Sequence, residues 1–165
     1  MITVRLHKKQ HNRNRFNCGI SALNNYLRIM ANQQSIKDNT RTFVLEDKTN
    51  PEYIIGYYTL TMISIDLSTL PKQLQKKHYN TNVSGLIARL AVDTRYTKQG
   101  YGQWLLVDAL TKLISASEMV AFPFVTVDAK DGVALFYKKL GFTPFLDTPN
   151  KLFITLKDAK NNLKL

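Results

Sequence analysis

The stretch LAVDTRYTKQGYGQWLL, Leu90 to Leu106, restricts the fold more than any other part of the chain. Leu90-Ala91-Val92 is apolar and suits a buried strand, and Asp93-Thr94-Arg95 breaks the run. Lys98-Gln99-Gly100-Tyr101-Gly102 then turns the chain into an amphipathic helix carrying Leu105, Leu106, Ala109, Leu110, Leu113 and Ile114, about four turns long. A strand running through a glycine turn into a helix N-terminus gathers unpaired backbone N–H groups and the positive end of the helix dipole at one point, which suits anionic oxygen. The spacing is neither GxxxxGK[ST] nor GxGxxG after an N-terminal strand, so the better-known phosphate loops are excluded. On the glycines alone, a plain turn is the better explanation of the loop.

The remaining elements decide what surrounds this unit. Ile2–Leu6 alternates as a short strand. Ile20, Leu23, Leu27, Met30 and Ala31 recur at helical spacing, capped by Ser21 or Gly19, and the period is lost over Asn32–Thr40. Thr42–Leu45 and the long run Tyr53–Ile65 read as strands joined by the Glu46–Pro51 loop, with Gly56 marking a bulge or a close backbone approach. Pro71 opens a short basic helix to His78, Asn80–Ser84 is a loop, and Leu86–Val92 is the central strand. Phe122–Val127 is a further strand, Gly132–Leu140 a short helix stopped by Gly141, and Phe142–Leu146 with Leu152–Leu156 a final hairpin. Strand pairs followed by strand–helix–strand–helix–strand predict an α/β (mixed α+β) fold: one domain over residues 1–165, with a mixed central sheet and helices on both faces. In such sheets ligands bind near the carboxyl ends of the central strands, where the glycine loop lies.

Charge supplies the first functional clue. The 165 residues carry a net charge of +11 with 44% hydrophobic content, a folded chain suited to meeting a polyanion such as nucleic acid. Arg5, Lys8, Lys9, Arg13, Arg15, Arg28, Lys37 and Arg41 face one acid, Asp38, in the first 41 residues, and Lys72, Lys76, Lys77, Arg89, Arg95 and Lys98 face only Asp93 between 71 and 101. A basic surface serving solubility alone is the plainer alternative. No apolar run nears the ~20 residues of a membrane span. No apolar stretch follows the basic N-terminus as in a signal peptide. Cys18 is the single cysteine, so no intramolecular disulfide forms and a reducing cytosol is expected; with His7, His11 and His78 alone for company it builds no zinc site.

Two blocks resemble a known family. Leu90–Leu106 resembles the acetyl-CoA motif of the GNAT N-acetyltransferases, and ALFYKKLGF, Ala134–Phe142, resembles the helix-and-strand motif that follows it. The family loop Gln/Arg-x-x-Gly-x-Gly/Ala reads here Thr97-Lys98-Gln99-Gly100-Tyr101-Gly102, with Thr97 as the departure. RFNCGISALNNYLRIMANQQ, IIGYYTL, LPKQLQ and ARLAVD further resemble the GNAT toxins of bacterial toxin–antitoxin pairs, over nearly the whole chain. That resemblance implies transfer of acetyl from acetyl-CoA, as cosubstrate and without a metal, to the amino group of aminoacyl-tRNA, which stops translation. It also implies a ribbon-helix-helix antitoxin, a homodimer, a cytoplasmic location and no membrane. The alternatives are a GNAT enzyme acting on a protein or small-molecule amine, and a non-catalytic binding module on the same scaffold.

The resemblance assigns roles to residues. Backbone groups of Leu90, Ala91 and Val92 pair with the pantetheine arm, and the N–H groups of Lys98, Gln99, Gly100, Tyr101 and Gly102 hold the pyrophosphate, with Thr97 and Phe136 completing the cofactor contacts. Tyr137 gives its proton to the departing thiolate, as a phenol protonated at neutral pH can; an aromatic pair of Phe136 and Tyr137 packing a short helix is the plainer alternative. Asp93, Asp128 and Glu46 are possible bases by type, and no spacing selects among them. Lys72, Lys76, Lys77, Arg89 and Arg95 are the candidate nucleic-acid contacts. Arg89, inside an apolar strand, requires either an acid partner or a cleft. Cys18 lies in no nucleophile motif.

Overall fold

The computed structural model describes residues 1–164. Seven strands form one mixed sheet in the order β1-β2-β3-β4-β5-β7-β6: β1 Thr3–Arg5, β2 Arg41–Glu46, β3 Ile54–Ser64, β4 Val83–Val92, β5 Phe124–Asp128, β6 Thr143–Pro144 and β7 Lys151–Thr155. β1, β2 and β3 pair antiparallel, β4 and β5 run parallel, and β7 is antiparallel to both β5 and β6. The chain divides into two compact units, Met1–Thr61 with Ala88–Ala109, and Met62–Ile87 with the segment from Leu110 onward.

In the first unit, Phe16, Leu23, Tyr26, Leu27, Ala31, Val44, Ile54, Tyr57 and Ala91 form the core. The helix expected from Gly19 is α1 Ser21–Asn25, a π-helical turn Tyr26–Met30 and α2 Ala31–Ile36. Neither Ser21 nor Gly19 caps it. Ile20 precedes the first turn with no side-chain cap, and the Asn24 amide reaches back instead, its Oδ1 accepting from the Cys18 N–H at 2.9 Å. The helix runs on through residues expected to leave it, because the buried Ala31 anchors this turn to the core and Gln33 and Gln34 are good helix formers; it ends just before Asp38, which turns left-handed at φ 59°.

β2 and β3 lose register between Leu45 and Glu46: Leu45 opposes Gly56 and Glu46 opposes Ile54. Gly56 therefore sits at a bulge and also at a close approach. A Cβ there would lie 2.6 Å from Leu105 Cδ1 and 2.8 Å from the Ala91 carbonyl oxygen. Leu105 belongs to α4, Tyr101–Met119, which at 19 residues exceeds the expected four turns by about one. Asp108 on α4 accepts hydrogen bonds from Thr3 Oγ1 at 2.6 Å and the Tyr58 hydroxyl at 2.5 Å, tying the helix to β1 and β3.

The second unit packs Ile65, Leu70, Phe124, Phe145 and Phe153. The basic helix is α3 Lys72–Lys77, preceded by Pro71 as expected. Val83 and Ser84, expected in a loop, already belong to β4, because the buried Ser84 hydroxyl finds Thr126 Oγ1 at 2.8 Å. The short helix is α5 Ala134–Lys138, and Gly141 follows it at φ 95°. β5 starts at Phe124, after Pro123, and β7 stops at Thr155, so the expected strand Leu152–Leu156 loses its last residue to a helix with no counterpart in the sequence expectation. This is α6, Leu156–Leu163, where the Thr155 hydroxyl accepts from the Asp158 N–H at 3.1 Å and Leu156 and Ala159 are buried.

Gly56→Ala tests the close approach. The Leu105 methyl can shift, but the Ala91 carbonyl belongs to the strand, so the variant is expected to lose about 1–3 kcal/mol, read as a lower urea midpoint at unchanged slope.

Candidate functional site

The site residues of the first unit follow from how β4 ends. Its ladder with β5 runs only from Ser84–Phe124 to Ile87–Val127, whereas β4 continues to Val92. Ala88, Arg89, Leu90 and Val92 are half-buried, so beyond Ile87 a length of strand edge with no β5 ladder partner stands free to pair with an extended ligand. At its end the Asp93 carboxylate is fully buried. It accepts from the Asn17 N–H at 2.9 Å, the Arg95 N–H at 3.0 Å and Arg95 Nε at 2.8 Å, and from Arg95 Nη2. Burial alone would raise this carboxyl, but the arginine and the two backbone amides outweigh it and hold it below the usual carboxylate range.

Asp93 thereby caps a short 3-10 turn, Thr94–Tyr96, that feeds the glycine loop. The Thr97 hydroxyl donates back to the Thr94 carbonyl at 3.0 Å, so the residue that departs from the family loop stabilises the turn. Lys98 and Gly100 adopt φ of 61° and 81°, the left-handed geometry that turns successive N–H groups toward one side. A Cβ added to Gly100 would meet nothing within 4 Å, so open space lies against the loop backbone. The first α4 amide bonded within the helix is that of Trp104, to the Gly100 carbonyl at 3.1 Å. The amides of Tyr101, Gly102 and Gln103 thus precede the ladder at the positive end of a 19-residue helix. Tyr96 and Tyr101 meet edge to face at 6.3 Å, and the Tyr96 hydroxyl donates to Asp47 Oδ2 at 2.8 Å, fixing one side of the loop to the β2–β3 connection. Open space beside backbone amides and a strand edge without a β5 partner is geometry that suits an extended ligand with an anionic end.

Tyr137 and Phe136 lie on α5 in the second unit. The buried Tyr137 ring is held edge-on by Phe136 at 5.1 Å and Phe142 at 5.8 Å. Its hydroxyl has no hydrogen-bond partner among the described residues, and no buried side-chain oxygen or nitrogen is left unsatisfied, so the hydroxyl reaches the surface. Burial pushes it up to about 12, which keeps it protonated across the physiological range.

The basic candidates are divided. Lys72, Lys76 and Lys77 are exposed on α3 in the second unit. Arg95 is engaged by Asp93 and donates to the Arg15 carbonyl at 3.0 Å. Arg89, expected to find either an acid or a cleft, has no carboxylate partner among the described residues; its guanidinium lies 3.6 Å over the Tyr26 ring. Tyr26, the ring beneath it, is a core residue of the first unit and was not among the expected site residues.

The acids named as possible bases are placed differently too. Asp93 is buried in its arginine pair, and Glu46 accepts from Gln10 and pairs with the buried His11 at 2.9 Å. Asp128 lines a cleft of about 200 Å³ in the second unit with Asp66, Asp147 and Lys151. Burial pushes the Cys18 thiol up, against a nucleophilic role. Among the described residues no three His, Cys, Asp or Glu side chains gather as a metal site, and no helix is long and apolar enough to cross a membrane.

The sequence matches the Acetyltransferase (GNAT) domain over residues 38–144, more than half the chain. A probable toxin TacT of Sinorhizobium fredii is 27% identical over 167 residues, covering 94% of this chain and 91% of that protein. A tRNA-acetylating toxin of Mycobacterium tuberculosis is 27% identical over 146 residues, covering 88% and 86%. Among solved structures, AtaT complexed with acetyl-methionyl-tRNAfMet superposes with a TM-score of 0.88 at 28% identity, covering 97% of each chain. A mutant AtaT toxin bound to acetyl-CoA and the C-terminus of the antitoxin AtaR gives 0.83 at 27% identity, covering 99% and 98%.

The Asp93 pair has a pH signature. A carboxyl held below its unfolded value stabilises the fold fully above about pH 4, and that contribution is lost as the pH falls through the lowered folded value. Asp93→Asn is expected to cost about 3 kcal/mol at neutral pH, with the gap to the parent protein narrowing in acid; urea titrations between neutrality and pH ~3 read both.

Proposed function

The chain belongs to the acetyltransferase (GNAT) domain family, and from that membership we propose that it is a toxin that acetylates the amino group of aminoacyl-tRNA and thereby blocks translation. The observation that carries this reading is the free β4 edge leading into the open glycine loop at the α4 N-terminus, in a chain that matches tRNA-acetylating toxins over most of its length. The +11 charge suits a tRNA partner.

Acetyl-CoA, as cosubstrate, supplies the activated acyl group. The backbone of Leu90, Ala91 and Val92 orients its pantetheine arm, and the amides and Lys98 of the loop neutralise its pyrophosphate. Phe136 adds an apolar contact. The free α-amine of the aminoacyl ester attacks the thioester carbonyl, the carbon–sulfur bond breaks as Tyr137 passes its proton to the leaving sulfur, and the proton shed by the amine nitrogen on forming the amide passes through solvent to restore the phenol. An α-amine titrates near ~8, so a sizeable fraction is already unprotonated and positioning replaces a strong base. A backbone N–H of the β4 edge can meet the oxyanion. Lys72, Lys76 and Lys77 contribute phosphate contacts. An antitoxin of the ribbon-helix-helix type, a homodimer and a cytoplasmic location complete the reading.

Purified protein mixed with bulk charged tRNA and labelled acetyl-CoA tests it. Label is expected on charged but not on deacylated tRNA. Tyr137→Phe is expected to lower kcat by about 10²–10⁴ with the fold intact, and the parent rate to rise with pH without a descending limb up to pH ~9, since the phenol stays protonated. Label on no tRNA, with acetyl-CoA still bound, would overturn the substrate and direct attention to protein or small-molecule amines.

A further inference from the structure

Three arginines of the first unit lie over aromatic rings, Arg5 over Phe43, Arg15 over Tyr53 and Arg89 over Tyr26, and of these Arg5 and Arg15 are exposed whereas Arg89 is half-buried. Arg95 is engaged by Asp93, Arg41 by Asp38, Arg13 by the Arg28 carbonyl and Arg28 by Asn25 Oδ1. The Arg89 side chain makes no hydrogen bond and no ion pair among the described residues, although the residue is half-buried in β4. Its one partner is the face of Tyr26, 3.6 Å below the guanidinium carbon. Because no buried side-chain nitrogen is left unsatisfied, the Arg89 nitrogens must reach solvent. The ring beneath is itself fixed: Tyr26 is buried, its hydroxyl meets Thr40 Oγ1 at 3.1 Å, and it opens the π-helical turn Tyr26–Met30. Such turns inside α-helices are frequent at functional sites.

A planar cation stacked on an aromatic face presents its N–H edges outward, in the fork that fits two oxygens of one phosphate. Arg89 lies between the last β4–β5 ladder pair and the free edge Leu90–Val92. Resting on the acceptor proposed above, the geometry points to Arg89, held in place by Tyr26, as the residue that grips the last phosphodiester of the single-stranded acceptor end. That phosphate is joined directly to the nucleoside bearing the aminoacyl ester, so gripping it fixes how far the amine stands from the β4 edge.

Steady-state kinetics of the full chain with bulk charged tRNA, at several salt concentrations, test this in Arg89→Gln, Arg89→Lys and Tyr26→Leu. Arg89→Gln is expected to raise the KM for charged tRNA about tenfold or more. It should leave the KM for acetyl-CoA unchanged and flatten the log–log salt dependence of tRNA binding by about 0.7, the share of one single-strand phosphate. Arg89→Lys keeps the salt slope but not the KM, and Tyr26→Leu raises the KM with the slope intact. An Arg89→Gln protein with parental KM and slope overturns the inference while the substrate reading stands. So does one in which only the acetyl-CoA KM rises, since the phosphate gripped would then be the cofactor's. A parent protein that neither binds nor acetylates charged tRNA ends the substrate reading, and this inference with it.

Discussion

The Asp93 carboxylate, buried at the end of β4 and filled by the Arg95 guanidinium and the amides of Asn17 and Arg95, is the contact on which the loop geometry depends. It acts on two stretches far apart in sequence. On one side it sets the 3-10 turn from which Lys98–Gly102 projects, and on the other it holds the segment ahead of α1, whose Asn17 carbonyl also takes the Thr94 N–H at 2.9 Å. A buried carboxylate is tolerable only when its oxygens are satisfied by charged and backbone donors. That requirement fixes where the strand ends.

The second constraint is steric. Gly56 lets the α4 side chain Leu105 and the β4 carbonyl of Ala91 crowd the β3 backbone, and Asp108 then locks α4 to Thr3 and Tyr58. A shift of α4 along β3 would break these bonds and drive Leu105 away from Gly56. The helix that the Gly100 loop feeds is thus held in position by packing and hydrogen bonds one to two turns further along it.

The +11 charge is used unevenly. Arg15 stacks over Tyr53 at 3.6 Å, Arg95 and Arg41 hold acids, and the α3 lysines remain in solvent. Counting basic residues along the chain could therefore suggest a polyanion but could not separate structural cations from available ones. Arg89 and Arg95, equally prominent in the sequence, differ completely in what their donors meet.

Local signals carried the strand–loop–helix of Leu90–Leu106, the hairpin at Glu46–Pro51 and the basic turn after Pro71, because apolar period, glycine and proline act within a few residues. The GNAT family was legible for the same reason: its loop is a contiguous backbone device. α6 was hidden because only Leu156, Ala159 and Leu163 mark its apolar positions among lysines and asparagines, although Thr155 and Asp158 spelled its cap. Continuation of the first helix through polar Asn32–Ser35 to Ile36 was equally hidden, since a solvent-facing helix and a loop share a composition. What only tertiary structure decided was the assignment of partners: Asp93 to Arg95 and Asn17 rather than to base chemistry, Arg89 to an aromatic face rather than an acid, and the Tyr137 hydroxyl to no hydrogen-bond partner among the described residues. A side chain's pairing depends on which distant segment packs against it, and no spacing along the chain encodes that.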